Sequence, residues 1–145
     1  MRKEDLSIGD YVFVESLKYF CDEEDFSNGI CMIKNLTPYE VDVYGYEELD
    51  YIDLKPVKLT EKILIEVFGF EKEDNLEELL IKRLGKNNTF KMFVYHDNWI
   101  LKVHTDSLMG EFTEVKYFHE LQRIIKMSGA AGSFLNLDKI ETLNI

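Results

Sequence analysis

The sequence predicts one α+β domain spanning 1–145, mainly β over 1–55 and mixed over 56–129, with a tail at 130–145. Three observations carry that expectation. Apolar residues alternate with polar ones at period two in the N-terminal third. Capped apolar stripes with helical spacing follow from residue 60. Two apolar runs around Asp97-Asn98 then read as a hairpin, followed by a third strand and an amphipathic helix. A chain of 145 residues, 46% hydrophobic and 13% aromatic, can bury a core without metals or disulfides.

The N-terminal third reads as short antiparallel strands. Tyr11-Val12-Phe13-Val14 is a β-branched and aromatic run after Ile8-Gly9-Asp10, and 30–33 is a second apolar run after the turn chemistry of Ser27-Asn28-Gly29. Past Thr37-Pro38, residues Tyr39, Val41 and Val43 alternate with Glu40, Asp42 and Tyr44, which predicts a strand with an acidic outer face; Gly45 ends it and 49–54 offers a fourth. Short strands with little helix between them fit a small antiparallel sheet or an open, SH3-like barrel.

Two helices are expected in the middle. Thr60 caps the first, Leu59 and Leu64 form its hydrophobic staple, Ile63, Leu64, Val67 and Phe68 its apolar stripe, and Gly69 its stop. Asp74 with Glu77 three residues on caps a second, with Leu76, Leu79, Leu80 and Leu84 as its stripe and Gly85 as its stop. The Gly85-Lys86 pair lacks the spaced glycine and trailing hydroxyl of a phosphate loop.

The hairpin comes next. A two-residue turn at Asp97-Asn98 pairs His96 with Trp99, Val94 with Leu101 and Met92 with Val103, placing Phe90, Met92, Val94, His96, Trp99, Leu101 and Val103 on one face. A third strand over 112–115 leads into a helix over 117–127, whose buried stripe is Phe118, Leu121, Ile124 and Ile125. The small-residue run at 129–133 separates this helix from a tail that is either a docked strand or a mobile end.

Charge restricts function more than any motif does. Net charge is −11, and residues 1–80 hold 21 acids against 8 bases while 81–145 hold 7 against 9. Such a field repels phosphate backbones and anionic lipid, so direct nucleic-acid or membrane binding is not expected. No run approaches the ~20 apolar residues of a membrane span and the first residues are charged, which reads as a cytoplasmic chain.

No organised chemistry emerges. The hairpin separates His96 from His104, and His119 lacks a His or Cys one turn away, so neither a metal nor any other cofactor is expected. Cys21 lies beside four acids, which suppress its thiolate, and Cys31 reads as a structural thiol. No serine sits in a nucleophile elbow. The run 22–25 lacks calcium-loop spacing and its glycine. The most suggestive cluster is Tyr39, Tyr44, Tyr46 and Tyr51 among Glu47, Glu48 and Asp50, a composition suited to protein contact.

Several stretches resemble a family of small uncharacterised proteins encoded by Bacteroidetes phages, prophages and related mobile elements. They are Ile8-Gly9-Asp10-Tyr11-Val12, the run 54–64 around Leu59-Thr60-Glu61, Gly69-Phe70-Glu71-Lys72, and Val115-Lys116-Tyr117-Phe118-His119-Glu120-Leu121-Gln122. The most specific piece is the Tyr-x-His-x-Leu-Gln run ahead of the last helix, and the likeness ends at Gly129. It implies context only, a small accessory protein inside a bacterial host cell. His119 and Gln122 are read as structural, orienting the strand-to-helix junction.

The expected function is therefore a non-enzymatic intracellular interaction protein of a phage or mobile element. Its acidic, tyrosine-bearing surface would meet a protein partner with a basic surface. Two alternatives stand beside it: a nucleic-acid mimic that inhibits a host or defence enzyme, and a structural or cargo component of the virion.

Overall fold

The computed structural model describes residues 1–17, 28–73, 76–84, 88–104, 109–128 and 134–143, and the side chains of these except at 76–78 and 109–111. The expected strand-to-strand loop at 18–27, with Cys21 and its acidic neighbours, lies outside the described residues. So do the glycine-lysine loop at 85–87 and the linker at 129–133. The fold is α+β, built from two antiparallel five-stranded sheets and three α-helices among the described residues. None of those helices is long and apolar enough to cross a membrane. Two compact units divide the chain: 1–57 with 140–145, and 58–139.

The first unit contains β1 (Tyr11–Val14), β2 (Ile30–Leu36), β3 (Val41–Val43), β4 (Tyr46–Leu49) and β5 (Leu54–Pro56) in the order β4-β3-β2-β1-β5. This is a four-stranded meander whose fifth strand returns to pair with β1. No ladder joins β4 to β5 among the described residues, so the sheet is open there. A register shift between Ile33 and Asn35 bends β2, which pairs with β1 through its first half and β3 through its second. Val12, Val14, Ile33, Val41, Val43, Leu49 and Leu54 are buried together in the core. The fourth strand expected over 49–54 is corrected: the stretch holds the end of β4, a one-turn 3-10 helix (Tyr51–Asp53) and the start of β5. Asp50 is the reason. Its side chain accepts from Ile52 N at 3.2 Å, so the backbone turns there instead of extending.

The C-terminal tail is a docked segment of this unit from Ile140 onward, reached through the short helix α3 (Leu137–Glu141). Buried Asn28 holds it, donating through Nδ2 to the carbonyls of Ile140 at 2.7 Å and Leu143 at 3.0 Å, while Ile30 N donates to its Oδ1 at 3.0 Å.

The second unit opens with α1 (Glu61–Glu66), capped as expected: Ile63 N donates to Thr60 Oγ1 at 3.2 Å, Leu59 and Leu64 are buried, and Gly69 has φ +73°. A meander then runs β6 (Glu71–Glu73), β7 (Leu76–Leu84), β8 (Asn88–Tyr95), β9 (Asn98–His104) and β10 (Met109–Glu114), and α2 (Phe118–Met127) follows. The second middle helix is therefore a strand. Its leucine spacing satisfies the helical period, but 76–84 also places residues on both faces of a ladder, and β7 pairs with β6 on one side and β8 on the other. Backbone pairing on two flanks outweighs helix propensities that differ by only ~0.5 kcal/mol per residue.

The hairpin forms with its turn one residue early. His96 and Asp97 take φ +48° and +64°, the primed-turn conformation, so Tyr95 pairs with Asn98, Val94 with Trp99, Met92 with Leu101 and Phe90 with Val103. The observed pairs differ from the predicted ones by two residues of register, an even number, so the apolar members keep one face while His96 leaves it for the turn; Phe90, Met92 and Leu101 are fully buried. In α2, Phe118, Leu121 and Ile125 are fully buried, and the Phe118 ring meets Phe68 at a centroid distance of 4.7 Å. The Tyr-x-His-x-Leu-Gln run forms the start of α2 itself, which is followed by α3 and is not the last helix.

Candidate functional site

The predicted tyrosine and acid cluster maps onto β3, β4 and the turns around them. Thr37 builds the β2–β3 turn: its hydroxyl accepts from Glu40 N at 2.9 Å, and its backbone N–H donates to the Glu40 carbonyl at 2.9 Å. Tyr39 stands at the tip of that turn, 84% exposed. At the other end of β3, the Tyr44-Gly45 turn leaves Tyr44 60% and Tyr46 50% exposed, and Lys34 Nζ lies 6.0 Å from the Tyr44 ring centroid. The tyrosines therefore occupy two ends of the hairpin. Five residues of extended chain, at most ~17 Å, separate Tyr39 from Tyr44.

The structure gives some members of the cluster internal work. Tyr51 is half-buried against the unit core and its hydroxyl donates to the Thr37 carbonyl at 2.5 Å, joining the 3-10 turn to the β2–β3 turn. Burial, and secondarily Glu4, pushes its phenol pKa up. Asp50 caps the 3-10 turn. Glu48 has φ +59° and its N–H donates to Asp42 Oδ1 at 2.9 Å, while its side chain, like that of Glu47, is exposed. The exposed tyrosines with Glu40, Glu47 and Glu48 thus form the outward part of the cluster, with Tyr51 and Asp50 as its frame.

Electrostatics single out this unit. From 38 to 54 the chain carries six carboxylates and no lysine or arginine. Among the described residues none of those six forms an ion pair; the four pairs present are Arg2–Asp5, Lys55–Glu15, Lys72–Glu61 and Lys116–Glu114. The first unit holds 15 acids against 5 bases and the second 13 against 12, so the first carries a net −10 of the chain's −11.

In the second unit His119 is buried on the first turn of α2, its ring parallel to Tyr117 at 6.0 Å between centroids, and Gln122 is half-buried one turn on. Glu120 closes the helix start by accepting from Lys116 N at 2.9 Å and Tyr117 N at 3.3 Å. His96 sits in the hairpin turn and His104 pairs with Thr89 at the far end of β9. No three His, Cys, Asp or Glu side chains among the described residues gather as metal ligands.

One feature has no counterpart in the sequence pattern. A cleft of about 480 Å³ lies in the second unit between the end of α1 and 134–138, with Lys82 in its wall. Lys82 is the middle of Leu80-Ile81-Lys82-Arg83-Leu84, and its place on the core face of a strand is visible only once 76–84 is recognised as β. No family model, curated protein or solved structure matches the chain.

Proposed function

We propose that this chain is a non-enzymatic interaction protein of a phage or mobile element, and that the β3–β4 face of its first unit docks a protein with a basic surface. The observation that carries the reading is the pairing of three exposed tyrosines, Tyr39, Tyr44 and Tyr46, with a run of six carboxylates that make no ion pair among the described residues. Tyrosine offers a large contact area at little cost in side-chain entropy, and the surrounding negative field speeds encounter with a basic patch and disfavours acidic competitors. The phage or mobile-element context rests on the sequence resemblance.

The test uses a partner recovered from bacterial lysate on the immobilised chain, then purified and titrated calorimetrically. The charge-reversal variant is Glu40→Lys with Glu47→Lys, which spares the structural Asp50 and Tyr51. Loss of binding in that variant and in Tyr39→Ala, with affinity falling as salt rises, is the expected result. A partner that binds both variants as tightly as the parent, or an empty eluate, would overturn the reading. Competition between the chain and DNA for that partner would narrow it to a nucleic-acid mimic.

A further inference from the structure

Lys82 stands where the sheet's own pattern demands an apolar side chain. On β7, residues two apart share a face; Leu80 opposes fully buried Met92, and Lys82 opposes fully buried Phe90. The lysine is half-buried, and a Cβ added at Gly69 would lie 3.0 Å from its Nζ. Gly69, at φ +73°, therefore serves both the turn after α1 and the space for this ammonium. No ion pair reaches Lys82 among the described residues, although Glu71 is close enough to act on it electrostatically. Burial lowers the lysine pKa from 10.5, and Glu71 opposes that fall.

The cleft beside it is the size of a small-molecule site, which runs from ~300 to ~1,000 Å³. Its accessible apolar wall is Phe134, Leu135 and Leu137, behind which Phe68 is fully buried, with Lys82 and Asp138 as the charged members. The far wall is tied down: Asn136 N donates to the Val67 carbonyl at 2.8 Å, and Lys139 N to the Asn136 carbonyl at 3.2 Å.

We propose that this cleft binds a small monocarboxylate with an apolar body, its carboxylate against Lys82 Nζ and its body against the Phe134, Leu135 and Leu137 wall. One cation on a partly apolar floor matches one negative charge. A dianionic phosphate would face a single ammonium with Asp138 and Glu71 nearby, and would gain nothing from the apolar wall. The inference is independent of the acidic face of the first unit.

The test is NMR of the full chain with its lysines reductively ¹³C-methylated, titrated with benzoate and octanoate, with benzyl alcohol and inorganic phosphate as controls. One dimethyl-lysine signal, absent in Lys82→Met, should shift saturably with an acid and titrate at higher pH in its presence, since a bound anion favours the charged amine. Preference between the two acids distinguishes an aromatic from an alkyl body. In Lys82→Met, affinity for the preferred acid should fall at least about tenfold, the loss expected of a charge-assisted hydrogen bond. Lys82→Met places an apolar side chain on the core face, and near-UV circular dichroism checks its fold; the parent's own Lys82 signal reads binding without any substitution. Failure of both acids to move that signal would overturn the proposal. So would undiminished acid affinity in a folded Lys82→Met, or phosphate or benzyl alcohol binding as tightly as the acids.

Discussion

Asn28→Ala should release the C-terminal segment of the first unit. The side chain is buried and makes three hydrogen bonds, two of them to carbonyls more than 100 residues away in sequence. Each is worth about 1 kcal/mol, and the alanine leaves the Ile140 and Leu143 carbonyls without their donor, so the expected loss is about 3 kcal/mol. Those bonds also hold Ile140 and Leu143 in place, both of which are buried. Urea unfolding followed by near-UV circular dichroism gives the free energy, and amide exchange locates the effect. Exchange should accelerate at 140–143 and at Ile30, and remain at the parental rate along β8 and β9. A loss below about 0.5 kcal/mol, or exchange at 140–143 as slow as in the parent, would refute the reasoning that this one amide clamps the tail.

Other outcomes follow from the same physical terms. Gly29→Ala would bring a methyl to 2.8 Å from both Phe13 Cε2 and the Val14 carbonyl at φ +82°, whereas Gly45→Ala meets open space at φ +96°. The first should cost several kcal/mol and the second only the ~1 kcal/mol of a left-handed alanine, and equal urea midpoints would contradict so close an approach at Gly29. His119→Ala should lower the melting temperature, with a loss of about 1–3 kcal/mol for a buried ring stacked on Tyr117; unchanged melting with loss of partner binding would instead make His119 functional. Burial raises the Cys31 thiol pKa above 9.0, so in a Cys21→Ser background iodoacetamide should label it more slowly at pH 8 than a free cysteine peptide. Because the folded thiol keeps its proton to higher pH than the unfolded one, its contribution to stability is complete below about pH 9 and falls as pH rises further. Labelling as fast as the peptide would show the thiol to be exposed.

Local chemistry alone determined a good part of this molecule. β1, the Thr60 cap with its Gly69 stop, and the α2 stripe are set by neighbours a few residues apart, and they form where the sequence places them, whereas the strand expected from the 39–44 alternation is confined to Val41–Val43, with Tyr39 and Tyr44 in the flanking turns. The hairpin's facing set is equally local, because period two survives any even slip of register; the turn position was less constrained, since His, Asp and Asn all tolerate positive φ. The acidity of residues 38–54 and the tyrosines among them are also plain in the sequence.

Tertiary structure decided the rest. The leucines of 76–84 fit helix and strand alike, and strands on both flanks made the segment β. That choice in turn carried Lys82 to a core face and into the wall of the cleft. The sorting of the cluster into exposed Tyr39, Tyr44 and Tyr46 and structural Tyr51 and Asp50 depended on Thr37 meeting Tyr51 across 14 residues, and the docking of 140–143 on an amide at position 28. Such pairings are invisible to any local pattern, because hydrogen bonds between distant residues form only after the intervening chain has folded and brought them together.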